Sequence, residues 1–500
     1  MVFSIKKALL PVLAIGITLL TINSCKHEPT TPASTGSGYP PEIANIIVGK
    51  CVTCHNASNA SASANLRLDT WDRLFYGSSH GAVVIPYDIE NSSLLYYINT
   101  DSALGIVAKP TMPFDPIIGN PQQTLSREEY FTIRNWIEAG APNDKGEIPF
   151  ASNPDTRQKV YLTEQACDIL SVIDVERKVI MRNIKIGAEP AIEVPHCVRV
   201  SNDGAYAYVS FTAGKVIQKI DTRTDKIVGS ATLQSSLPAQ WNILFLNEDG
   251  TKLIVSDLQG GVLNYINTAD MSVTKVLVNG TLKQTHGIAS NKNFDTIYVT
   301  AQYGNIVYRI TPSSVTQISL DGKTPTNRSQ YYDPHEIMMT PDYSKYFLTC
   351  EAANQVRVMS PYTGKAIDSF SVPLKPQEMA ISRVKPYLFV SCMEGPDGLV
   401  NNVKTRGAVV VINYETMQVV KTISGGFFQP HGLTVDDQRQ LLFVASRNAA
   451  PDGQAPHHTS TCGGPNGWYQ VFDINTLEPA NTIRYEVLPD PYSFDARFKH

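Results

Sequence analysis

The sequence predicts a small all-α domain followed by an all-β seven-bladed β-propeller. Two observations set the two halves apart. Residues 47–145 carry Cys51-Val52-Thr53-Cys54-His55 between segments of helical pattern. Residues 158–500 carry short β-branched and aromatic runs, with turn residues between them, recurring at the roughly 40–60-residue spacing of propeller blades. A third observation separates them, because the stretch leading into the β-rich half is rich in Pro, Asn, Asp and Gly and gives a linker at 146–157.

The N-terminus decides the compartment. Lys6 and Lys7 precede an apolar run from Ala8 to Ile22, too short for a comfortable span, and Ile22-Asn23-Ser24-Cys25 follows. This reads as a signal peptide over 1–24. The cysteine resembles the lipobox of bacterial lipoproteins, which implies that Cys25 becomes the lipidated first residue; Asn23 departs from the usual small residue, so an ordinary signal peptide or anchor is the alternative. Residues 25–46 then begin with a Thr, Ser, Pro and Gly-rich run suited to a flexible tether. The expected location is the bacterial cell envelope, lipid-anchored and facing the periplasm or the cell exterior. Lys26 does not match the Asp-type inner-membrane retention signal, which tilts the expectation to the outer membrane. The formal net charge of -4 and the absence of a long basic block give no footprint for nucleic acid.

In an exported chain, two thiols separated by two residues and followed by histidine have the spacing to reach both vinyl groups of one porphyrin and to ligate its iron from one side. Cys51 and Cys54 are thus expected to hold one covalent haem c, with His55 as an axial ligand. A zinc site would want a second pair of ligands at similar spacing, and a redox dithiol a βαβ context. Met112, in Thr111-Met112-Pro113-Phe114, is expected to supply the opposite ligand, with His80 as its rival. Ser126 and Glu129 predict a capping box on a helix running through Tyr130, Ile133, Trp136 and Ile137. With Leu66-Arg67-Leu68-Asp69, Ile85-Pro86, Ser92-Ser93-Leu94-Leu95, Met112-Pro113 and Trp136-Ile137-Glu138-Ala139-Gly140-Ala141, residues 47–145 resemble planctomycete-type cytochrome c domains. That resemblance implies electron transfer at one haem c. It departs at Tyr87, where a loop glycine is usual.

In the second half, an inner run such as Cys197-Val198-Arg199-Val200 is followed by Tyr206–Phe211, Val216–Asp221 and Lys226–Leu233, and the series restarts near Trp241, His286, His335, Gln377 and His431. Residues 158–186 supply three runs of a unit, and Pro491-Tyr492-Ser493-Phe494 supplies the missing innermost one, so the chain ends should close the ring in one blade. Tyr208-Val209-Ser210, Tyr298-Val299-Thr300 and Val471-Phe472-Asp473-Ile474-Asn475-Thr476 resemble YVTN-type β-propellers, a fold that hosts unrelated functions.

Aligning the units places His196, Trp241, His286, His335, Gln377, His431 and Tyr492 around one mouth of the channel. The next strands end nearby at Cys350-Glu351, Cys392-Met393 and Arg447-Asn448, and an insertion at 449–467 adds His457, His458 and Cys462. Two readings of the mouth stand open. The imidazoles are framework groups bonded to neighbouring backbone, or His196, His286, His335 and His431 form a second site for a substrate or an additional metal such as copper. The functions left are an envelope electron carrier whose propeller docks a redox partner protein or binds substrate, an oxidoreductase with haem as electron exit, and a ligand-binding or redox-sensing protein.

Overall fold

The computed structural model describes residues 36–115, 120–121, 123–235, 239–329, 331–400, 402–450, 452–455 and 465–500. Cys25, the signal segment, His457, His458 and Cys462 lie outside the described residues. Among the described residues, no helix is long and apolar enough to cross a membrane.

Seven antiparallel sheets form the propeller. The first complete blade runs Pro195–Val200, Tyr206–Phe211, Val216–Asp221, Lys226–Thr232, and the next begins at Trp241–Leu246. The third starts at Thr285–Ser290 and ends at Ser314–Ser319; the fourth comprises Pro334–Met339, Tyr346–Cys350, Gln355–Met359 and Ala366–Ser371. The fifth and sixth start at Pro376–Ile381 and Pro430–Asp436. The seventh pairs the C-terminal Pro491–Ala496 with Lys159–Glu164, Ile169–Asp174 and Val179–Lys185, so the two ends of the propeller close one sheet and leave the ring no open edge. Inner and second strands are buried almost throughout, and outer strands such as Ala366–Ser371 are exposed, which is the gradient the continuous apolar inner runs and polar outer runs dictate.

The N-terminal domain is less helical than the all-α expectation. Helices Pro41–Lys50, Trp71–Leu74, Ser93–Ile98 and Arg127–Glu138 and two 3₁₀ turns are joined by long irregular segments, and Phe114–Asp115 pairs with Asn120–Pro121 in a two-residue ladder. Pro86, Pro110, Pro113 and the glycines at 77, 81 and 105 interrupt helix between 75 and 115, and only the segments without them coil. The longest helix forms as its sequence dictates: Ser126 accepts from Glu129 N at 3.2 Å, and Glu129 Oε2 accepts from Ser126 N at 2.7 Å.

This domain sits on the closing blade. One hydrophobic cluster runs from Ile43, Ile47, Leu68, Ile133 and Ile137 into Val160, Ile173, Ile180, Tyr469 and Phe494. Polar contacts fix the orientation: Arg177 bonds Asp72 at 2.7 Å, Asn183 donates to Asp88 at 2.8 Å, and Glu486 N donates to the His80 carbonyl at 2.9 Å. Tyr87 has φ +69°, the left-handed conformation that explains why a glycine is usual there. Its ring lies so close to Gly140 that a Cβ on that glycine would stand 2.5 Å from Tyr87 Cζ, and the Arg182 guanidinium caps the ring at 4.9 Å from its centroid.

Candidate functional site

The first helix ends at Lys50, and its last turn continues into the motif through Cys51 N to Ile47 O at 2.9 Å and His55 N to Cys51 O at 3.0 Å. Asn56, which sequence reasoning passed over, ties the loop together. Its amide donates to the carbonyls of Val52 and Thr53 at 2.8 and 3.0 Å, and its Oδ1 accepts from Ser58 N and Asn59 N. An Asn one residue after the motif is the available signal, since Asx side chains close turns. The His55 carbonyl accepts from Leu68 N at 2.8 Å, anchoring the motif to the Leu66–Asp69 segment.

Within this satisfied backbone, the His55 Nδ1 atom is buried and has no hydrogen-bond partner. Burial holds the imidazole below its ordinary pKa, so it is neutral and able to ligate. Cys51 is a free thiol, pushed up to about 12 by burial despite the neighbouring Lys50 ammonium. Cys54 is disulfide-bonded. Its sulfur becomes available for a thioether only after reduction of that bond.

Met112 is half-buried and packs against the same apolar cluster as Cys51 and Val52, with its amide donating to Tyr97 O at 2.7 Å. His80, the rival ligand, is exposed, and its carbonyl is the contact to Glu486 that holds the propeller. Behind the motif, Glu129 joins two helices, capping its own and accepting from Lys50 Nζ at 2.7 Å. Burial alone would push this carboxyl up; the Lys50 ammonium and the Ser126 amide bring it below the usual range.

The propeller mouth assembles as the unit alignment predicts. His196 and His286 lie 6.1 Å apart by ring centroid, His286 and His335 4.1 Å, and His335 and His431 6.1 Å. Tyr492 completes the circuit, 3.8 Å from His431 and 4.6 Å from His196. Backbone geometry aims these side chains inward. In every blade the pairing of inner and second strands slips near the ring position, a bulge that redirects the strand. Six blades precede it with a left-handed non-glycine residue: Val194, Gln284, Asp333, Lys375, Gln429 and Asp490.

The imidazoles carry framework bonds. His286 Nδ1 lies 3.2 Å from His335 O, His431 Nδ1 2.9 Å from Tyr492 O, and His196 Nδ1 3.0 Å from Gln165 Nε2. Burial lowers His286 to about 3, so it is neutral. Among the described residues, no group of three or more His, Cys, Asp or Glu is arranged to hold a metal ion. Cys197, Cys350 and Cys392 are buried free thiols, and Cys167 is disulfide-bonded.

Sequence reasoning missed Asp490. It forks onto the fully buried Arg447 guanidinium with contacts of 2.5 and 3.0 Å, and Arg447 also faces the Tyr492 ring at 4.8 Å. Glu336 and Glu378, both buried, sit one residue beyond the ring position on adjacent blades, and both interact with Arg199. Glu336 Oε2 is buried without a partner, and burial together with Glu378 raises this carboxyl to about 8.

No curated protein matches the chain. Among solved structures, Kuenenia stuttgartiensis hydrazine synthase is similar at 14% identity and a TM-score of 0.45, covering 62% of this chain and 91% of that one. A functionally unknown protein from Desulfotomaculum acetoxidans DSM 771 is similar at 13% and 0.49, covering 67% and 99%. The dihydro-heme d1 dehydrogenase NirN in complex with DHE is similar at 11% and 0.45, covering 91% and 99%. The family model for planctomycete cytochrome C matches residues 51–107. The chain thus joins a cytochrome c-type segment of the planctomycete cytochrome C kind to a seven-bladed β-propeller.

Proposed function

We propose that the chain is a haem c electron carrier of the bacterial envelope, anchored by lipid at Cys25, whose propeller holds the haem domain for docking to a redox partner protein. One observation carries the reading. In a loop whose backbone is tied down by Asn56 and Leu68, His55 keeps a buried Nδ1 with no partner, beside the free Cys51 thiol and inside the segment that the cytochrome family model matches. An orphaned buried nitrogen is costly unless a ligand or reoriented ring engages it.

The residues fit the group. His55 would ligate the iron, Cys51 and reduced Cys54 would hold the porphyrin, and Met112, on the loop fixed by Tyr97, would offer its thioether as a further ligand. Haem supplies a one-electron couple, whose potential a thioether ligand raises. The apolar cluster packs against Met112 and Cys51, and the Glu129–Lys50 bridge holds the motif helix against the last helix.

Spectroscopy and iron content of the exported full-length protein test this. One covalently bound haem per chain, lost in a Cys51→Ala, Cys54→Ala double variant, is the expected result. A colourless protein isolated from a host competent in haem c assembly overturns the reading.

A further inference from the structure

We infer that the cleft between the third and fourth blades binds a small sugar acid, a hydroxylated ring carrying a carboxylate. The cleft measures about 360 Å³ and lies at the end of the segment leading out of Ser314–Ser319. Lys323, Tyr331 and Tyr332 line it from that segment, and Gln355, Arg357 and Ser369 from the fourth blade. This volume falls at the lower end of small-ligand sites.

The polar groups specify the ligand. Gln355 and Arg357 are two apart on one strand, so both side chains project from the same face, and Ser369 pairs directly with Arg357 on the neighbouring strand. Arg357 Nε and Gln355 Oε1 are both buried, and neither has a hydrogen-bond partner. Both residues line the cleft, a guanidinium that matches carboxylate and an amide that matches a hydroxyl, so a molecule meeting both carries an anionic oxygen and an O–H group. Lys323 adds a second cation, and among the described residues no carboxylate lines the cleft.

The aromatic groups specify the rest. Tyr331 is 72% exposed, a rigid platform of the kind that contributes contact area at small entropic cost. Tyr332 is already held, with the Arg357 guanidinium 5.0 Å from its ring centroid, which fixes the fork that would receive the carboxylate. A ring against Tyr331 with its carboxylate toward Arg357 and Lys323 engages both cations and the exposed aromatic platform.

Calorimetric titration of the full-length protein with D-glucuronate tests the site, with D-glucose and inorganic phosphate as comparisons. Glucuronate should bind with a Kd between micromolar and millimolar, and glucose at least about 10-fold more weakly, because a charge-assisted pair to Arg357 is lost. Tyr331→Ala removes only an exposed side chain, so it leaves folding intact and should weaken glucuronate about 10-fold. Arg357→Lys keeps the charge but loses the fork, with a similar or larger loss. The proposal fails if glucuronate does not bind at ~10 mM, if glucose binds equally well, if phosphate binds as tightly as the sugar acid, or if both variants bind like the wild type.

Discussion

Replacing Tyr87 by glycine should loosen the haem domain from the propeller. The change has opposing effects, and their sizes decide the outcome. Glycine relieves a non-glycine residue at φ +69°, worth about 1–2 kcal/mol, but returns about 0.5–1 kcal/mol in backbone entropy. Against this net gain of at most about 1.5 kcal/mol stands the ring. A tyrosine that is 52% exposed buries roughly 100 Å², worth about 2.5 kcal/mol, and the half-exposed contact with Arg182 adds about 0.5–1 kcal/mol. The loss wins by roughly 1.5–3.5 kcal/mol, a shift of about 10- to 400-fold toward the undocked arrangement if all of it falls on docking. Hydrogen exchange reads this directly: amides of Val179–Lys185 and of Glu486 should exchange faster in Tyr87→Gly, and Tyr87→Phe should behave as wild type. Unchanged protection in Tyr87→Gly would refute the reasoning, because the ring would then contribute nothing across the interface.

Met112→Ala should abolish the His/Met signature in the visible spectrum and lower the reduction potential; an unchanged spectrum assigns the ligand elsewhere. Asp490→Ala should destabilise the propeller by about 3–5 kcal/mol in denaturant titration, since it strands the buried Arg447 guanidinium, whereas Arg447→Met with Asp490→Leu should cost far less. Glu336, raised to about 8 by burial, Glu378 and despite Arg199, keeps a proton in the folded state that the unfolded chain releases near 4.5. Stability should therefore fall by up to about 1.4 kcal/mol per unit as pH rises from 4.5 to 8, and Glu336→Gln should remove that part of the slope; an unaltered pH profile in the variant refutes the buried proton.

How much the sequence disclosed depended on range. The capping box at Ser126 and Glu129 and the turn at Cys51–His55 act within a few residues, and both were legible. Propeller closure was legible too, because a unit lacking its inner run and a terminal run lacking its partners can satisfy their edges only together. The mouth ring followed from aligning units, but the sequence left the framework and ligand-binding readings side by side, since the carbonyls that His286 and His431 bond are set by the neighbouring blade. Arg447 with Asp490, 43 residues apart, and Arg182 with Tyr87 on another domain depend on blade and domain placement that periodicity does not carry. The disulfide at Cys54 was equally hidden, for spacing names which thiols suit a porphyrin and not which are oxidised. Helix was over-assigned where prolines and glycines between 75 and 115 leave the chain irregular.

The seat of the haem domain has a consequence for biogenesis. Its contacts reach Tyr485, Glu486 and Phe494, which leave the ribosome some four hundred residues after the Cys51–His55 motif. During synthesis the motif therefore emerges long before its resting place exists, and the closing blade cannot form until the last strand arrives. On the haem c reading proposed above, an enzyme that reduces Cys54 and approaches both thiols would meet an undocked domain in that interval. Once Pro491–Ala496 adds itself to the N-terminal strands, the domain gains its floor, and the window for modification narrows with the same event that completes the ring.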